Sequence, residues 1–259
     1  ERSYHAQGLQ PPTTPQGNIQ IGADVLRESK NPVLVELAAI ASTSKLLSTY
    51  VPLLRRGTEL PICPRYDAVK VTGRSGCSKP ALQNLPRDGG VRECFVPRPG
   101  MVYIQADYAV AELRALAQIL IWLFGQSDIA DALIAGKDLH IATAAQMLGI
   151  TYADAIERYR AGDQQLTTTR RLGKVYNFLV AGGGGGARIA AEAKNYGVDM
   201  TPAEAEAGKQ QWLDIYPEMR RYFKRVGALA RGGSFTLTQP VSGRLRGDVG
   251  FTDGCNSPF

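Results

Sequence analysis

An α+β fold is predicted by three features of the 259-residue chain: a strand-like stretch ending at Asp107, a middle third dense in helical apolar spacing, and a strand-like stretch at 234–238. The first thirty residues carry Pro11, Pro12 and Pro15 without a sustained period, so they predict an extended entry and a short helix from about Ala23. Residues 32–50 place Leu34, Leu37, Ile40, Leu46 and Leu47 near helical spacing and predict one helix. From Val51 to Gly100 prolines and glycines recur (Pro52, Gly57, Pro61, Gly73, Gly76, Pro80), predicting short strands and loops. The segment MVYIQAD alternates Val102, Ile104 and Ala106 on one side and predicts a strand over 101–107. Helices follow at 111–124, 139–148, 152–161, 169–181, 187–196 and 202–226, the last interrupted at Pro217. The tail reads as a strand at 234–238 and a loop at 242–250 that carries Arg244 and Arg246.

Composition bounds the function. With 44% hydrophobic and 21% charged residues, the chain can bury the core of one or two domains. Its 28 glycines and 15 prolines fall short of a low-complexity sequence. Cysteines at 63, 77, 94 and 255 form no Cys-x-x-Cys pair, and the histidines are His5 and His140, which excludes a typical disulfide framework or zinc cluster. The longest apolar run, Ala115 to Phe124, contains Gln118 and is shorter than the ~20 residues a bilayer needs. No signal-peptide apolar region occupies residues 1–7, so the expectation is a cytoplasmic protein without a membrane. The net charge of +6 rests on 21 Arg and 9 Lys, and an Arg-rich excess suits a polyanionic partner as well as it suits plain solubility.

Three segments carry the chemistry. In DYAVAELR, residues 107–114, Asp107 ends the expected strand and Glu112 opens the next helix. A carboxylate fixed at a strand end suits Mg²⁺, which binds through one or two carboxylates plus substrate phosphates. The same octet is equally readable as a helix cap with a favourable charge in the first turn. In TTTRRLGKVYNFLVAGGGGGAR, residues 167–188, Arg170, Lys174 and Phe178 stand four apart and share one helix face. Cations near a helix start oppose its dipole, so Arg170 and Arg171 point to a bound anion, although an ordinary amphipathic helix gives the same pattern. The glycine run 182–186 lacks a following Gly-Lys-Ser/Thr, so it reads as a helix end and hinge, not as a P-loop. In TGRSGCSKPALQNLPR, residues 72–87, Arg74, Gln83, Asn84 and Arg87 lie on irregular backbone and can donate to phosphates or base edges.

In this order the segments resemble the family A DNA polymerases, which include bacterial DNA polymerase I and many phage replicases. DYAVAELR is similar to the family's first palm motif and RRLGKVYNF to its fingers-helix motif, Arg-x-x-x-Lys-x-x-x-Phe. TGRSGCSKPALQNLPR is similar to the segment that reaches the primer-template minor groove. GKDLHIATAAQMLGI, KLLSTYV and YPEMRRYF match three further family segments, and the resemblance runs from about Thr14 to the last residue. It implies a right-hand polymerase fold with an antiparallel palm sheet, helical fingers and a thumb that is largely absent. The implied division is a thumb–palm junction at 1–50, palm with the first catalytic motif at 51–136, fingers at 137–233 and a return to the palm at 234–259. The implied activity is template-directed DNA synthesis from dNTPs with two Mg²⁺ ions. Asp107 and the backbone carbonyl of Tyr108 would be metal ligands, and Asp107 and Lys174 the catalytic pair. Arg170, Lys174 and His140 would hold the triphosphate, Phe178 would stack on the sugar, and Glu112 would crowd its 2′ position. Arg74, Gln83, Asn84 and Lys45, with Arg244 and Asn256 more weakly, would hold primer-template DNA through backbone and shape.

Two departures from the family pattern stand out. The fingers motif continues as LVAGG, placing Gly182 where the family has a tyrosine, which suggests phage-type ancestry and altered fidelity. The chain stops at FTDGCNSPF, before the family's His-Asp-Glu hairpin with its second catalytic carboxylate. A shortened chain, a split polymerase completed by a second polypeptide, and a primer-template-binding module without chemistry are the three expectations this raises. For a phage-encoded protein the compartment would be the cytoplasm of a bacterial host.

Overall fold

The computed structural model describes residues 19, 22, 26, 31–68, 70, 73–86 and 89–256. The extended entry, nearly all of the expected helix from Ala23, His5 and Arg87 lie outside the described residues. The chain divides into two compact units, 1–105 and 106–259, with the boundary inside the 51–136 stretch.

In the first unit, α1 (Pro32–Lys45) starts where the Asn31 side chain accepts from the Val33 N–H, with a proline in the first turn. It runs through a π turn, Leu46–Tyr50, directly into α2 (Val51–Glu59). The helix therefore passes Val51, where sequence alone predicted loops. Pro52 accounts for both the expected loop and the π turn. Lacking an N–H, it cannot serve the carbonyl four residues back, so the backbone widens until the Val51 N–H reaches Leu46 O, and Pro52 then sits in the first turn of α2 where no donor is needed. The combined run Pro32–Glu59 has 28 residues and a mean hydropathy of 1.2 in its best window, long and apolar enough by length and composition to cross a membrane. It contains no long unbroken apolar run, because Glu36 and Lys45 interrupt it. Strand β1 (Arg65–Asp67) then pairs antiparallel with β2 (Gly76–Ser78), Tyr66 opposite Cys77, and a 3₁₀ turn follows at Leu82–Asn84. The Tyr50 hydroxyl donates to Asn84 O at 3.2 Å and ties that turn to the helix.

Residues 101–107 do not form the expected strand. Val102 is 80% and Ile104 90% exposed, and no ladder partner exists for the segment among the described residues. Alternation alone does not make a strand, because backbone N–H and C=O groups need a neighbour to pair with. The palm sheet expected from this segment together with the Ser234 region is accordingly replaced, among the described residues, by two separate hairpins.

The second unit is helical. α3 (Ala111–Phe124) buries Leu113, Leu116, Ala117 and Leu120 at helical spacing and ends at Gly125, φ +80°. α4 (Asp128–Ile134) was not foreseen: it is short, and its N-terminus is held from afar by the buried Glu218, which accepts from the Ser127 hydroxyl and the N–H groups of Asp128 and Ile129. α5 (Leu139–Leu148), α6 (Tyr152–Arg160), α7 (Gln164–Leu179) and α8 (Gly186–Asn195) follow. α9 (Pro202–Ile215) opens with a Thr201–Glu204 capping box, and α10 (Glu218–Leu229) begins after the break at Pro217. Trp212, Tyr176, Tyr222, Leu116 and Leu120 are fully buried in one core built from these helices. β3 (Phe235–Thr238) pairs antiparallel with β4 (Leu245–Val249), so most of the expected loop at 242–250 is a strand. The short α11 (Phe251–Asn256) brings Cys255 into the core.

Candidate functional site

The candidate site lies where α5 packs on α7. Asp138 caps α5, its Oδ1 accepting from the N–H groups of His140 (2.8 Å) and Ile141 (3.1 Å). Its Oδ2 takes the Arg170 Nη2 at 2.7 Å, so one carboxylate fixes both the start of α5 and the guanidinium on α7. The Arg170 guanidinium also lies 5.1 Å from the Tyr159 ring centre, and the Lys174 ammonium 5.6 Å from that of Tyr196. His140 and Phe178 are ring neighbours with centroids 5.6 Å apart. Arg170, Lys174 and Phe178 are all half-buried along one stripe of α7, as their four-residue spacing predicts. The structure thus brings together four of the expected nucleotide-binding residues.

One sequence argument fails here. Asp163 caps α7 through the Leu166 N–H, so the helix starts five residues before the expected 169. Arg170 and Arg171 lie beyond the first turn, where the dipole no longer opposes them. Polar QQLTTT hides this start, because it carries no apolar period.

Electrostatics sets the protonation of the site. His140 is buried and its pKa is pushed down to about 4, first by desolvation and further by Arg170 and Lys174, against an opposing pull from Asp138. For Asp138, burial raises the pKa, but the Arg170 and Ile141 hydrogen bonds outweigh it and the net direction is down. The site at neutral pH therefore presents two cations, a carboxylate and an uncharged imidazole.

Two residues not foreseen from the sequence hold this geometry. A Cβ on Gly173 would sit 2.8 Å from His140 O, so only glycine lets α7 approach α5 this closely. Asn177, fully inside, has its side-chain amide 3.0 Å from His140 Nδ1. Its place between Tyr176 and Phe178 offered no polar pattern to the eye. At the helix end, Gly183 adopts φ +77°, and the glycine run ends α7 as expected.

Asp107, Tyr108 and Glu112 are exposed at the start of the second unit, Tyr108 at 89%. Between them Val110 takes φ +48°, a left-handed conformation that a β-branched residue adopts only under strain, braced by Arg114 Nε donating to Ala109 O. No group of three or more His, Cys, Asp or Glu side chains that could hold a metal occurs among the described residues. Asp107 and the Tyr108 carbonyl offer one carboxylate and one neutral oxygen, which do not make up a two-ion site. Arg244 lies in the turn between β3 and β4, and Asn256 spends its amide on Gly182 O and Thr252 O, both at 3.0 Å. In the first unit, Gln83 and Asn84 line an open cavity of about 450 Å³ with Arg65 and Lys70, whereas Arg74 and Lys45, both exposed, are not among its lining.

A profile of DNA polymerase family A matches residues 4–246. The chain belongs to the family A DNA polymerases. It is 30% identical over 224 residues to the thermostable DNA polymerase I of Thermus filiformis, covering 83% of this chain and 24% of that protein. It is 32% identical over 209 residues to DNA polymerase I of Pseudomonas aeruginosa, covering 76% of this chain and 20% of that protein. The chain thus spans a quarter or less of the length of these relatives, both bacterial, and the phage-type ancestry expected from Gly182 has no counterpart in them. In fold it is similar to the POL domain of Pol1 from M. smegmatis, solved in complex with DNA primer-template and dNTP. The TM-score is 0.70 at 22% identity, over 96% of this chain and 44% of that one.

Proposed function

We propose that this polymerase segment binds a deoxynucleoside triphosphate on the α5–α7 face and primer-template DNA elsewhere on its surface, for template-directed nucleotidyl transfer. The observation that carries the reading is the stripe Arg170, Lys174 and Phe178 with His140 beside it. Two cations and a neutral N–H donor suit a polyphosphate, and a half-buried ring at the far end of the stripe suits the attached sugar. Arg170 would grip the triphosphate in a position set by Asp138. Lys174 would neutralise charge on the phosphate that is attacked and donate toward the leaving pyrophosphate. The family membership and the relatives' names support DNA synthesis as the reaction.

In this reading residues 137–233 act as fingers and 51–136 as palm. Gln83 and Asn84, in their cavity, and Arg74 would contact the duplex. When bound, Mg²⁺ would supply charge neutralisation at the phosphates, and this chain would contribute Asp107 and the Tyr108 carbonyl to it. By themselves these two oxygens do not form a two-ion site.

The test is extension of a labelled primer-template with dNTPs and Mg²⁺, alongside dNTP and primer-template binding by the same chain. Asp107→Asn should abolish any extension, and Lys174→Ala should weaken dNTP binding by about tenfold or more, the worth of one charge-assisted contact. Failure of the chain to bind either dNTP or primer-template DNA would overturn the reading.

A further inference from the structure

We propose that Asn177, oriented by Trp212, is the positioning residue that fixes His140 as a neutral imidazole with its proton on Nε2. The α5–α7 face then carries a permanent N–H donor for a phosphate oxygen.

Which atoms can donate fixes the network. The Trp212 indole nitrogen is a donor only, and it lies 2.8 Å from the Asn177 side chain. That atom must be the amide oxygen, since the amide nitrogen would set donor against donor. The Thr143 hydroxyl, 3.0 Å from the same oxygen, is compatible with this orientation. The Asn177 NH₂ is thereby turned toward Leu139 O (3.3 Å) and His140 Nδ1 (3.0 Å). A ring nitrogen that faces an amide N–H has to accept, so Nδ1 carries no proton and Nε2 carries it. A doubly protonated ring would again press N–H against N–H. The orientation is enforced by burial: Trp212 and Thr143 are fully enclosed and Asn177 is 2% exposed, so no water substitutes for a mismatched partner.

The depressed pKa of His140 is consistent with this arrangement. The charged groups that face the ring are Asp138 on its own helix and Arg170 and Lys174 on α7. Tyr216 on α9 reaches the network only through its hydroxyl, 3.0 Å from that of Thr143, and is itself pushed up to about 12 by burial. A neutral donor has a chemical advantage beside two cations. It can bind a phosphate oxygen without a third positive charge, whose repulsion would spread the cations apart when no ligand is present.

That the donor meets a phosphate rests on the reading of this face as a triphosphate site; the tautomer itself does not. The test is ¹⁵N NMR of the full chain, in which the imidazole signals come from His140 and His5 alone and are assigned with His5→Gln. The expected result is an Nε2-protonated ring for His140 that does not titrate between pH 5 and 8. An Nδ1-protonated ring, or titration near the ordinary histidine value, would overturn the proposal without any variant. Asn177→Asp replaces the donor by an acceptor and should move the proton to Nδ1 and raise the His140 pKa by about 1–3 units, the effect of an adjacent carboxylate. Trp212→Phe, which keeps an aromatic ring but frees the amide to turn, should give a mixture of tautomers. Unchanged ring signals in folded samples of both variants would overturn the role of Asn177. Titration with pyrophosphate and with dTTP separates the two readings. A shift of the Nε2 signal supports the phosphate contact, and an Nε2-protonated ring indifferent to both ligands refutes the triphosphate site while leaving the positioning role standing.

Discussion

His140 makes the acid stability of this chain predictable. Its pKa is about 4 in the folded protein against an ordinary 6.5, so between these values the unfolded chain binds a proton that the folded chain refuses. Stability must therefore fall as pH drops through this window, and it is fully present above it. The difference of about 2.5 units, at about 1.4 kcal/mol per unit, amounts to about 3 kcal/mol by pH 4. The perturbation is His140→Gln, which keeps an amide able to accept from Asn177 but does not titrate. Denaturant unfolding followed by circular dichroism from pH 7 to pH 4 should show the wild type losing about 3 kcal/mol more than the variant. Most of that excess should appear as a slope difference near 1.4 kcal/mol per pH unit. His5 and the carboxylates remote from His140 are common to both proteins, so their contributions cancel, and the excess is the joint effect of His140 and the Asp138 carboxylate coupled to it. Parallel pH curves for the two proteins would refute the reasoning, because they would mean that the imidazole is as free to protonate folded as unfolded.

Other substitutions probe the same construction. Gly173→Ala forces a Cβ against His140 O and should cost about 1–3 kcal/mol as backbone is pushed apart, with dNTP binding weakened in parallel; a thermal midpoint within one degree of wild type would contradict the close approach. Glu218→Ala leaves the Ser127 hydroxyl and two N–H groups at the start of α4 without their buried acceptor, for an expected loss of about 2–4 kcal/mol in urea unfolding. Gly182→Tyr must displace the Asn256 amide that occupies the space beside it, so a change in misinsertion frequency should arrive with a lower thermal midpoint.

The helical part of the fold was legible because its signals are local. The periodic set Leu113, Leu116, Ala117, Leu120 and the glycine at 125 define α3 to the residue. The helix expected at 139–148 matches α5, which the structure shows capped by Asp138. What could not be read locally was any element whose evidence lies elsewhere in the chain. α4 has a local cap in Ser127, but its start is also held by Glu218, ninety residues away. The strand expected at 101–107 has the right alternation but no partner, and β4 hides behind arginines and a glycine because its pairing with β3 carries it. The site divides in the same way. Arg170, Lys174 and Phe178 were visible as one helical stripe, whereas Gly173, Asn177 and Trp212 matter only because two other helices pack against α7, and no spacing within one segment announces that.

The two ends of the proposed active site differ in how they are held. Arg170 is pinned by Asp138, itself locked into the cap of α5, and His140 is fixed by Asn177. Asp107, by contrast, is exposed, and the segment leading to it has no strand partner among the described residues. A hard cation bound by one such carboxylate gains little from preorganisation, since ordering the segment offsets part of the binding energy. Polyphosphate recognition should therefore be largely independent of metal binding in this chain. Isothermal titration with pyrophosphate in chelator is expected to give the same affinity for wild type and Asp107→Asn, while Asp138→Asn, which still caps α5 but leaves Arg170 without its ionic partner, should weaken it by about threefold to tenfold. The reverse order, with Asp107→Asn harmful in chelator and Asp138→Asn silent, would place the polyphosphate at the carboxylate end and remove the α5–α7 face from the site.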